Sequence, residues 1–184
     1  MSTPERPSFE EVYDEHVWSV YGYFGYRLAG RELAEDLTQV TFENALRSWD
    51  RYEPRRGTPL TWLMAIARNV LIDHYRSDRS DRHRPIADHE AATGALGAEP
   101  GPEPAGVSPE LERALATLPR RQRELVALRF GAELHGPEIA ELVGLSLANV
   151  QQMLSRALRK LRVELEGGGE AEAEEPARGE IRGG

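Results

Sequence analysis

Residues 133–162 read ELHGPEIAELVGLSLANVQQMLSRALRKLR, and this stretch predicts two helices joined by a tight turn. Pro137 suits the first turn of a helix, where its missing N–H would have no helical partner in any case. Gly144 supplies the left-handed residue that ends this first helix. Ser146 is a good N-cap for the second helix, because its hydroxyl can accept a hydrogen bond from a free backbone N–H. The turn is therefore predicted at residues 144–146.

Both helices of this stretch have an apolar face. In the second helix, apolar residues recur at steps of three and four, which places them on one side. They are Leu147, Val150, Leu154, Ala157, Leu158 and Leu161. The first helix offers Ile139, Ala140, Leu142 and Val143. The opposite side of the second helix and its flanks carry amides, a hydroxyl and cations, namely Asn149, Gln152, Ser155, Arg156, Arg159, Lys160 and Arg162.

The spacing of these features is that of a helix-turn-helix. The small Ala140 lets the two helices approach each other, and Val150 fills the angle between them. The polar face suits the major groove of DNA, where Gln and Asn can pair with adenine, Arg with guanine, and further cations with phosphate. An ordinary helical hairpin with a solvated polar face stays open as the alternative at this point, because short motifs also occur by chance.

Composition limits the class of protein. The chain of 184 residues has no cysteine, which excludes a disulfide framework and a thiolate metal site. No apolar run is long enough to span a bilayer. The first residues, MSTPERPSFEE, lack the apolar core of a signal peptide. We therefore expect one domain or two small ones in a cytoplasmic protein without membrane insertion.

The formal net charge of −8 is segregated along the chain. Residues 51–84 and 119–163 each carry 8 basic and 4 acidic groups. Residues 1–50, 85–118 and 164–184 carry net charges of −6, −5 and −5. Because the local field matters more than the total, the two basic blocks are candidates for phosphate contact. The acidic blocks could face a basic protein partner.

Three helices are predicted before residue 78. Ser8 and Glu11 have the spacing of a capping box, followed by apolar residues at helical spacing. A second helix is predicted over residues 32–49, with one face formed by Leu37, Val40, Ala45 and Trp49. After a loop rich in proline and glycine, a third helix is predicted over residues 60–76. We assign residues 8–77 to one small helical domain.

The remainder divides into a linker, a second domain and a tail. Residues 78–107 are charged and then rich in Ala, Gly and Pro, which predicts a flexible linker. Ser108 and Pro109 open a new helix, and another is predicted over residues 120–130, so that residues 108–163 form a four-helix domain. Residues 164–184 form an acidic tail that we expect to be disordered. The predicted fold class is all-α, with two small helical domains joined by a flexible linker.

A second group of candidate residues lies in the loop and third helix of the first domain. Basic, amide and aromatic side chains interleave there, which is the chemistry that binds single-stranded nucleic acid. The candidates are Arg55, Arg56, Thr58, Thr61, Trp62, Arg68, Asn69 and Arg76. The loop around Gly57 could form a pocket for a flipped base. A solvated basic face with Trp62 in the core is the competing interpretation.

The sequence offers no arrangement typical of catalysis. It has no G-x-S-x-G, no phosphate-binding glycine loop and no H-E-x-x-H. Asp73 and His74 are adjacent and so point in different directions on a helix. The five histidines lack the spacing of a metal site. We therefore predict a protein that is not an enzyme, with no cofactor and no metal.

With both halves considered together, the chain resembles a bacterial RNA polymerase sigma factor of the extracytoplasmic-function (ECF) type. Residues 36–42, DLTQVTF, look like the D-L-x-Q-x-x-F segment of conserved region two. Residues 58–76, TPLTWLMAIARNVLIDHYR, look like the helix that follows it. Leu118-Pro119 and residues 128–130 look like the start of region four. The segment from Glu138 to Leu158 looks like its helix-turn-helix.

The resemblance implies roles for particular residues. Docking on the clamp coiled coil of the largest polymerase subunit would use Asp36, Gln39, Phe42 and Asn44. The melted minus-ten element would be held by the loop and third helix, through Arg55, Arg56, Thr58, Thr61, Trp62, Arg68, Asn69 and Arg76. The duplex minus-thirty-five element would be read by Arg129, Asn149, Gln151, Gln152, Ser155, Arg156 and Arg159. Further implied partners are the flap of the second-largest subunit and an anti-sigma factor.

The resemblance thus predicts a subunit that directs core RNA polymerase to promoters and helps to melt them. The alternative is a stand-alone helix-turn-helix transcriptional regulator that dimerises on a palindrome. The sequence contains no obvious dimerisation helix or ligand domain, which counts against that alternative. A third hypothesis is an enzyme with a pocket along the helix from Trp62 to Tyr75.

Overall fold

The computed structural model describes residues 6–81 and 107–171, and the regular structure within those ranges is helical throughout. The first range, called the first unit below, contains α1 (Phe9–Gly25), α2 (Arg31–Arg47) and α3 (Pro59–Asp81). The second range, called the second unit, contains α4 (Pro109–Ala116), α5 (Arg120–Val126), α6 (Gly136–Val143) and α7 (Leu147–Ala171). A 3₁₀ turn (Trp49–Arg51) follows α2, and a π-helical segment (Ala127–Gly131) follows α5. The predicted all-α class is confirmed.

The start of α1 is the capping box expected from the sequence. The hydroxyl of Ser8 accepts a hydrogen bond from the N–H of Glu11 at 3.2 Å. The carboxylate of Glu11 in turn accepts one from the N–H of Ser8 at 2.8 Å. These bonds satisfy two N–H groups that no helical carbonyl can reach, and so they fix where the helix begins.

The three helices of the first unit enclose an apolar core. Its large side chains with almost no exposed surface are Val12, Val20, Tyr23, Phe24, Leu63 and Met64. Full burial of such a side chain stabilises the fold by about 1.5–3 kcal/mol. Thr38 and Thr41 are buried as well, and their hydroxyls donate to the carbonyls of Ala34 and Leu37 one turn earlier, at 2.6 and 2.7 Å. The core therefore contains no unsatisfied threonine hydroxyl.

Two boundaries and one buried position in the first unit differ from the sequence prediction. The second helix ends at Arg47, and Trp49 lies in the 3₁₀ turn that follows. The third helix continues to Asp81, so that the first residues of the predicted linker are helical. Residues 82–106, most of that linker, lie outside the described residues. Val40 is 39% exposed rather than buried, because the core contacts of α2 pass through Leu37, Thr41 and Ala45 instead.

The second unit begins and turns where the sequence predicted. Ser108 caps α4 by accepting from the N–H of Leu111 at 3.3 Å, with Pro109 as its first residue. Gly144 ends α6 with φ +68°, a left-handed conformation that costs glycine little. The hydroxyl of Ser146 accepts from the N–H of Asn149 at 3.2 Å and so starts α7. The predicted helix-turn-helix is confirmed.

The helix predicted over residues 120–130 changes its geometry midway. It is α-helical up to Val126 and then π-helical from Ala127 to Gly131. The N–H of Ala132 bonds to the carbonyl of Ala127 at 2.9 Å, five residues back. Such π-helical turns are uncommon and often lie at functional positions.

α7 is longer than predicted, and fewer of its apolar residues are buried. Val150, Ala157 and Leu161 are buried as expected. Leu147 and Leu158 are 39% and 42% exposed, because the partner helices cover only one narrow stripe of α7. The helix continues to Ala171, so residues 164–171 of the predicted disordered tail are helical. The rest of that tail, residues 172–184, lies outside the described residues.

The two units pack against each other rather than standing apart. One continuous apolar core joins Val20, Phe24 and Leu63 of the first unit to Leu128 and Ile139 of the second. A smaller cluster holds α4 and α5 against α7. Among the described residues, no helix is both long and apolar enough to cross a membrane. The arrangement places α3 beside α5 and α6, which determines how much of the predicted site is exposed.

Candidate nucleic-acid interface

The polar face of α7 is open to solvent. All the candidates on it are exposed: Asn149, Gln151, Gln152, Ser155, Arg156 and Arg159. Neither Arg156 nor Arg159 has a hydrogen-bond or ion-pair partner among the described residues. The helix is anchored on its other side by Val150 and Ala157, which are completely buried. The structure therefore brings six of the seven duplex-reading candidates onto one unobstructed surface.

The seventh candidate, Arg129, has a different environment. It is half-buried at the base of the helix-turn-helix, where its Nη1 donates to the carbonyl of Leu134 at 3.0 Å. The same nitrogen lies 3.3 Å from Nδ1 of His135. The N–H of His135 donates to the carboxylate of Glu138 at 2.9 Å, which holds the start of α6. Arg129 therefore positions the segment that leads into α6.

The loop before α3 exposes three further candidates. Arg55, Arg56 and Thr58 are all at the surface. The hydroxyl of Thr58 accepts from the N–H of Thr61 at 3.3 Å, and the Thr61 hydroxyl donates to the Thr58 carbonyl at 2.9 Å. These bonds cap α3. Arg56 is paired with Glu53 at 3.0 Å, an exposed pair that contributes little to stability and can be exchanged for a phosphate.

Trp62 belongs to an aromatic cluster with Trp49 and Tyr52. Its ring centre lies 5.6 Å from that of Trp49 and 5.4 Å from that of Tyr52, and Trp49 stacks on Tyr52 at 4.9 Å. Trp62 is half-buried, so part of its ring stays accessible. The sequence left open whether Trp62 lies in the core or on a binding face, and the structure shows a ring that is partly packed and partly exposed.

Arg6 joins this cluster and was not expected at the site. Arg6 lies over the ring of Trp49 at 4.7 Å and donates a hydrogen bond to the Trp49 carbonyl. Burial raises the pKa of the Tyr52 phenol, and the nearby Arg6 opposes this shift. Tyr52 donates its O–H to the carbonyl of Gly57 at 3.1 Å and so shapes the loop. Arg6 and Trp49 are 43 positions apart, and nothing near Arg6 in the sequence indicates this contact.

Arg68 does not share the exposure of its neighbours on α3. Asn69 and Arg76 are exposed, with Arg76 3.5 Å from Asp73. Arg68 instead turns toward the second unit and is 22% exposed. Its Nε donates to Glu124 at 2.8 Å, and its Nη1 donates to the carbonyl of Leu142 at 2.8 Å. Arg68 is therefore set apart from the exposed candidates Asn69 and Arg76 on the same helix.

The residues predicted to dock on polymerase lie on α2 but differ in exposure. Asp36 is exposed, and the half-buried Gln39 donates to Glu43 at 3.2 Å. Asn44 accepts from Arg47 at 3.3 Å. Phe42 is only 5% exposed, because its ring packs edge-on against Tyr13 at 4.8 Å. The structure therefore does not bring Phe42 to the surface.

Apolar side chains on the same helix were missed as surface residues. Val40 and Leu46 are 39% and 58% exposed on the side of α2 that carries Asp36 and Glu43. Apolar groups surrounded by charges are typical of surfaces that bind other proteins.

Among residues 6–81 and 107–171, no three His, Cys, Asp or Glu side chains come together as a metal site.

Comparison with known proteins assigns both units. Residues 12–81 match the family model of Sigma-70 region 2, and residues 108–161 match that of Sigma-70, region 4. The ECF RNA polymerase sigma factor BldN of Streptomyces coelicolor is 33% identical over 165 residues, which are 85% of this chain. This chain spans only 60% of the length of BldN. The RNA polymerase sigma factor CarQ of Myxococcus xanthus is 34% identical over 159 residues, with 85% of this chain and 88% of CarQ covered.

A solved structure shares the fold. It is that of the sigma factor RpoE from Bartonella quintana in complex with the anti-sigma factor NepR. The TM-score is 0.65 at 22% sequence identity, with 86% of this chain and 96% of that chain covered. The motifs on α2, α3, α6 and α7 indicate the same family as the two region models, the curated relatives and the shared fold. The chain therefore belongs to the ECF type of bacterial RNA polymerase sigma factors.

Proposed function

We propose that this chain is a promoter-specificity subunit of bacterial RNA polymerase. It binds the core enzyme in the cytoplasm, directs it to particular promoters and uses binding energy to help open the DNA, with no catalysis of its own. The observation that supports this most is the polar face of α7, which is anchored by buried Val150 and Ala157 and presents Arg156 and Arg159 with no described partner. Arginines without a partner among the described residues are available to contact DNA.

The second unit reads the minus-thirty-five element as a duplex. A helix that begins with Asn149 and Gln152 and continues with Arg156 and Arg159 fits the major groove, where amides pair with adenine and guanidinium groups with guanine. Arg129 holds the segment before α6 and can meet phosphate with its remaining donors. Contacts to phosphate position the helix, and contacts to base edges select the sequence.

The first unit holds the melted minus-ten element. The exposed Arg55 and Arg56 bind the backbone, and the accessible part of Trp62 offers a surface on which an unpaired base can stack. The hydrogen bond from the Tyr52 hydroxyl to the Gly57 carbonyl fixes the shape of the loop between Tyr52 and Thr58, and this loop would contact the flipped base. Asn69 and Arg76 extend this face along α3.

α2 docks on the clamp coiled coil of the largest polymerase subunit. Asp36, Gln39 and Asn44 supply polar contacts, and the exposed Val40 and Leu46 supply the apolar surface between them. Phe42 supports this surface from the core side. The flap of the second-largest subunit is the partner of the second unit. An anti-sigma factor controls this chain, as NepR is bound to RpoE in the related complex.

Run-off transcription tests the proposal directly. The protein is added to bacterial core polymerase free of sigma factor, with a fragment library of its own genome as template. Discrete transcripts that depend on the added protein are expected. Folded protein with active core and no transcripts would contradict the proposal. Footprinting without polymerase then decides whether the chain is a stand-alone regulator, which would protect a palindrome by itself.

A further inference from the structure

We propose that Arg6, which precedes the first helix, is a phosphate contact for the melted DNA strand and is held in place for this purpose over the ring of Trp49. Its guanidinium binds the strand beside the loop that contains Arg55 and Arg56, and so adds a further cation to the single-strand surface of the first unit. This inference rests on the function proposed above, because it adds a residue to the surface that holds the minus-ten element.

The local sequence fixes where Arg6 lies. A residue that precedes proline is held in extended backbone, and Pro7 follows Arg6 directly. Ser8 and Glu11 then form the capping box of α1, with hydrogen bonds of 2.8 and 3.2 Å. Arg6 therefore lies only two residues ahead of a helix start that is itself held by hydrogen bonds.

Aromatic packing brings this segment close to the loop. Phe9, the first residue of α1, packs edge-on against Trp49, with 5.4 Å between the ring centres. Trp49 stacks on Tyr52 at 4.9 Å, and the Tyr52 hydroxyl donates to the carbonyl of Gly57 at 3.1 Å. The ring beneath Arg6 is therefore connected to the loop by two successive contacts.

The guanidinium of Arg6 keeps donors available for a ligand. Its central carbon lies 4.7 Å from the centre of the Trp49 ring, and its Nη2 donates to the Trp49 carbonyl. Arg6 is exposed and makes no further hydrogen bond or ion pair with a described residue. A guanidinium has several N–H donors in one plane, which match the oxygens of a phosphate. The contact with the ring holds the cation in place and leaves most of these donors free.

The exposed arginines of the first unit differ in whether a carboxylate neutralises them. Four are paired at 2.5–3.5 Å, namely Arg31, Arg47, Arg56 and Arg76. Three have no carboxylate within ion-pair distance among the described residues, namely Arg6, Arg51 and Arg55. The unpaired three flank Trp49 and Tyr52, in space for Arg6 and along the chain for the other two. Unpaired cations gathered at one place indicate a surface that receives an anion.

The stability of α1 does not explain the cation at position 6. The start of a helix carries partial positive charge, so a cation just ahead of it is unfavourable. The field of Arg6 instead reaches the loop, where burial raises the pKa of the Tyr52 phenol and the nearby Arg6 opposes this shift. A positive field at the loop attracts the phosphates on either side of a base that enters it.

The experiment neutralises one phosphate at a time in the complex of the protein with core polymerase. The probe is a promoter found by run-off transcription, prepared as duplex through the minus-thirty-five element and as single non-template strand across the minus-ten element. Each phosphate of the single strand is replaced in turn by an uncharged methylphosphonate. With the parent protein, replacement of a phosphate that an arginine holds should weaken binding roughly threefold to tenfold, between the effects of losing an exposed ion pair and a charged hydrogen bond.

Arg6→Ala should remove the sensitivity to one of these phosphates. The variant should bind the unmodified probe roughly threefold to tenfold more weakly, and the slope of log affinity against log salt should fall by roughly 0.7, as expected for one phosphate of a single strand. At one position the methylphosphonate should then have no further effect, whereas the other sensitive positions keep theirs. Such non-additivity measures a direct contact, and a merely structural role of Arg6 would not produce it.

Two further substitutions separate charge from structure. Arg6→Gln can keep a hydrogen bond to the Trp49 carbonyl but has no charge, so it should behave as Arg6→Ala does. Arg6→Lys keeps the charge and should recover most of the salt slope and of the sensitivity to that phosphate.

Arg31→Ala is the matched control. Arg31 is also an exposed arginine of the first unit, but it begins α2 and is paired with Glu35 at 2.5 Å. Its replacement changes the net charge equally and should leave the sensitivity to every methylphosphonate as in the parent. Thermal unfolding and the affinity for core polymerase without DNA should be close to the parent values for the variants of both arginines.

The possible failures are distinct. Arg6→Ala that binds the probe as the parent does, or that binds more weakly while every phosphate keeps its effect, would overturn the phosphate contact. Weaker binding of Arg6→Ala to core polymerase in the absence of DNA, with no phosphate affected, would place Arg6 at a protein interface and would also overturn it. A parent complex that gives no transcripts and binds no probe would refute the proposed function, and this inference with it.

Discussion

The polar face of α7 and the basic face of α3 are both predicted to bind DNA, yet the two helices use their side chains differently. On α7, Arg156 and Arg159 are exposed and have no partner among the described residues. On α3, Trp62 packs on Trp49 and Tyr52, and Arg68 is bonded to the second unit. Similar compositions therefore correspond to exposed, unpaired arginines on α7 and to side chains that take part in the packing of the fold on α3.

This difference separates residues that affect only binding from residues that also affect stability. Replacement of an exposed, unpaired arginine removes no contact within the folded protein. Replacement of a packed ring leaves a cavity, and replacement of a hydrogen-bonded arginine leaves a carboxylate without one of its partners, so both should lower the free energy of unfolding. Substitutions on α7 should consequently change DNA binding alone, whereas substitutions on α3 should also change the free energy of unfolding.

Trp62→Ala should have the largest effect and should act on folding. Removal of the half-buried ring takes away its contacts with Trp49 and Tyr52, which should lower the free energy of unfolding by about 2–3 kcal/mol. Denaturant unfolding measures the change. Trp62→Phe keeps an aromatic ring in the cluster and should lose less than half as much. Unchanged stability in Trp62→Ala would mean that the ring serves binding alone.

Arg156→Ala should show the opposite behaviour. Binding of the polymerase complex to its promoter should weaken by about 1–3 kcal/mol if the guanidinium pairs with a base, and by less if it meets only phosphate. The free energy of unfolding should stay within about 0.5 kcal/mol of the parent value. Arg113→Ala is the control, because Arg113 is an exposed arginine on α4, 3.8 Å from Glu110 and away from this face. A loss of stability in Arg156→Ala would remove the contrast between the helices.

Arg68→Ala should combine both effects at a smaller size. Loss of the bonds to Glu124 and to the Leu142 carbonyl should lower the free energy of unfolding by about 1–2 kcal/mol, with Arg121 still paired to Glu124. Arg76→Ala, which removes an exposed arginine from the same helix, should leave stability nearly unchanged. Equal stability of the two variants would show that the Arg68 bonds contribute nothing to the contact between the first and second units.

Features decided by local chemistry were predictable from the sequence. The capping box at Ser8, the Ser108 cap, the left-handed Gly144 and the Ser146 cap each depend on residues within one helical turn. The side chains of such residues meet their backbone partners whatever the rest of the chain does. The helix-turn-helix and its polar face were therefore available from the sequence, together with most of the duplex-reading candidates.

Features decided by contacts between distant residues were not predictable. Arg68 and its partner Glu124 are 56 positions apart, and nothing near Arg68 in the sequence indicates the pairing. Helical spacing predicted that Leu158 lies in the core, but Leu158 is 42% exposed. The width of the buried stripe on α7 depends on how α4 and α5 pack against it, which the sequence pattern does not show. Phe42 belongs to the segment DLTQVTF, which was recognisable in the sequence. Its burial was not, because it results from packing against Phe9 and Tyr13 of another helix.

The smallest expected effect is on stability at low pH, and it allows the two units to be compared directly. Each unit has a carboxylate whose pKa is lowered by hydrogen bonds at a helix start. Glu11 receives them from the backbone and side chain of Ser8, and Glu110 from its own backbone N–H and from Ser108. Because the folded pKa lies below the ordinary value of 4.5, each group contributes stability above that pH, and the contribution is lost as the pH falls through the lowered value.

Glu11→Gln and Glu110→Gln should therefore each flatten the decline in melting temperature below about pH 4.5. If the shared apolar core couples the two units, both variants should shift one common unfolding transition. Two transitions, each moved by only one variant, would show that the units unfold independently and that the contact between them adds little stability. The measurement is a series of thermal melts between roughly pH 3 and 7, the range over which carboxylates titrate.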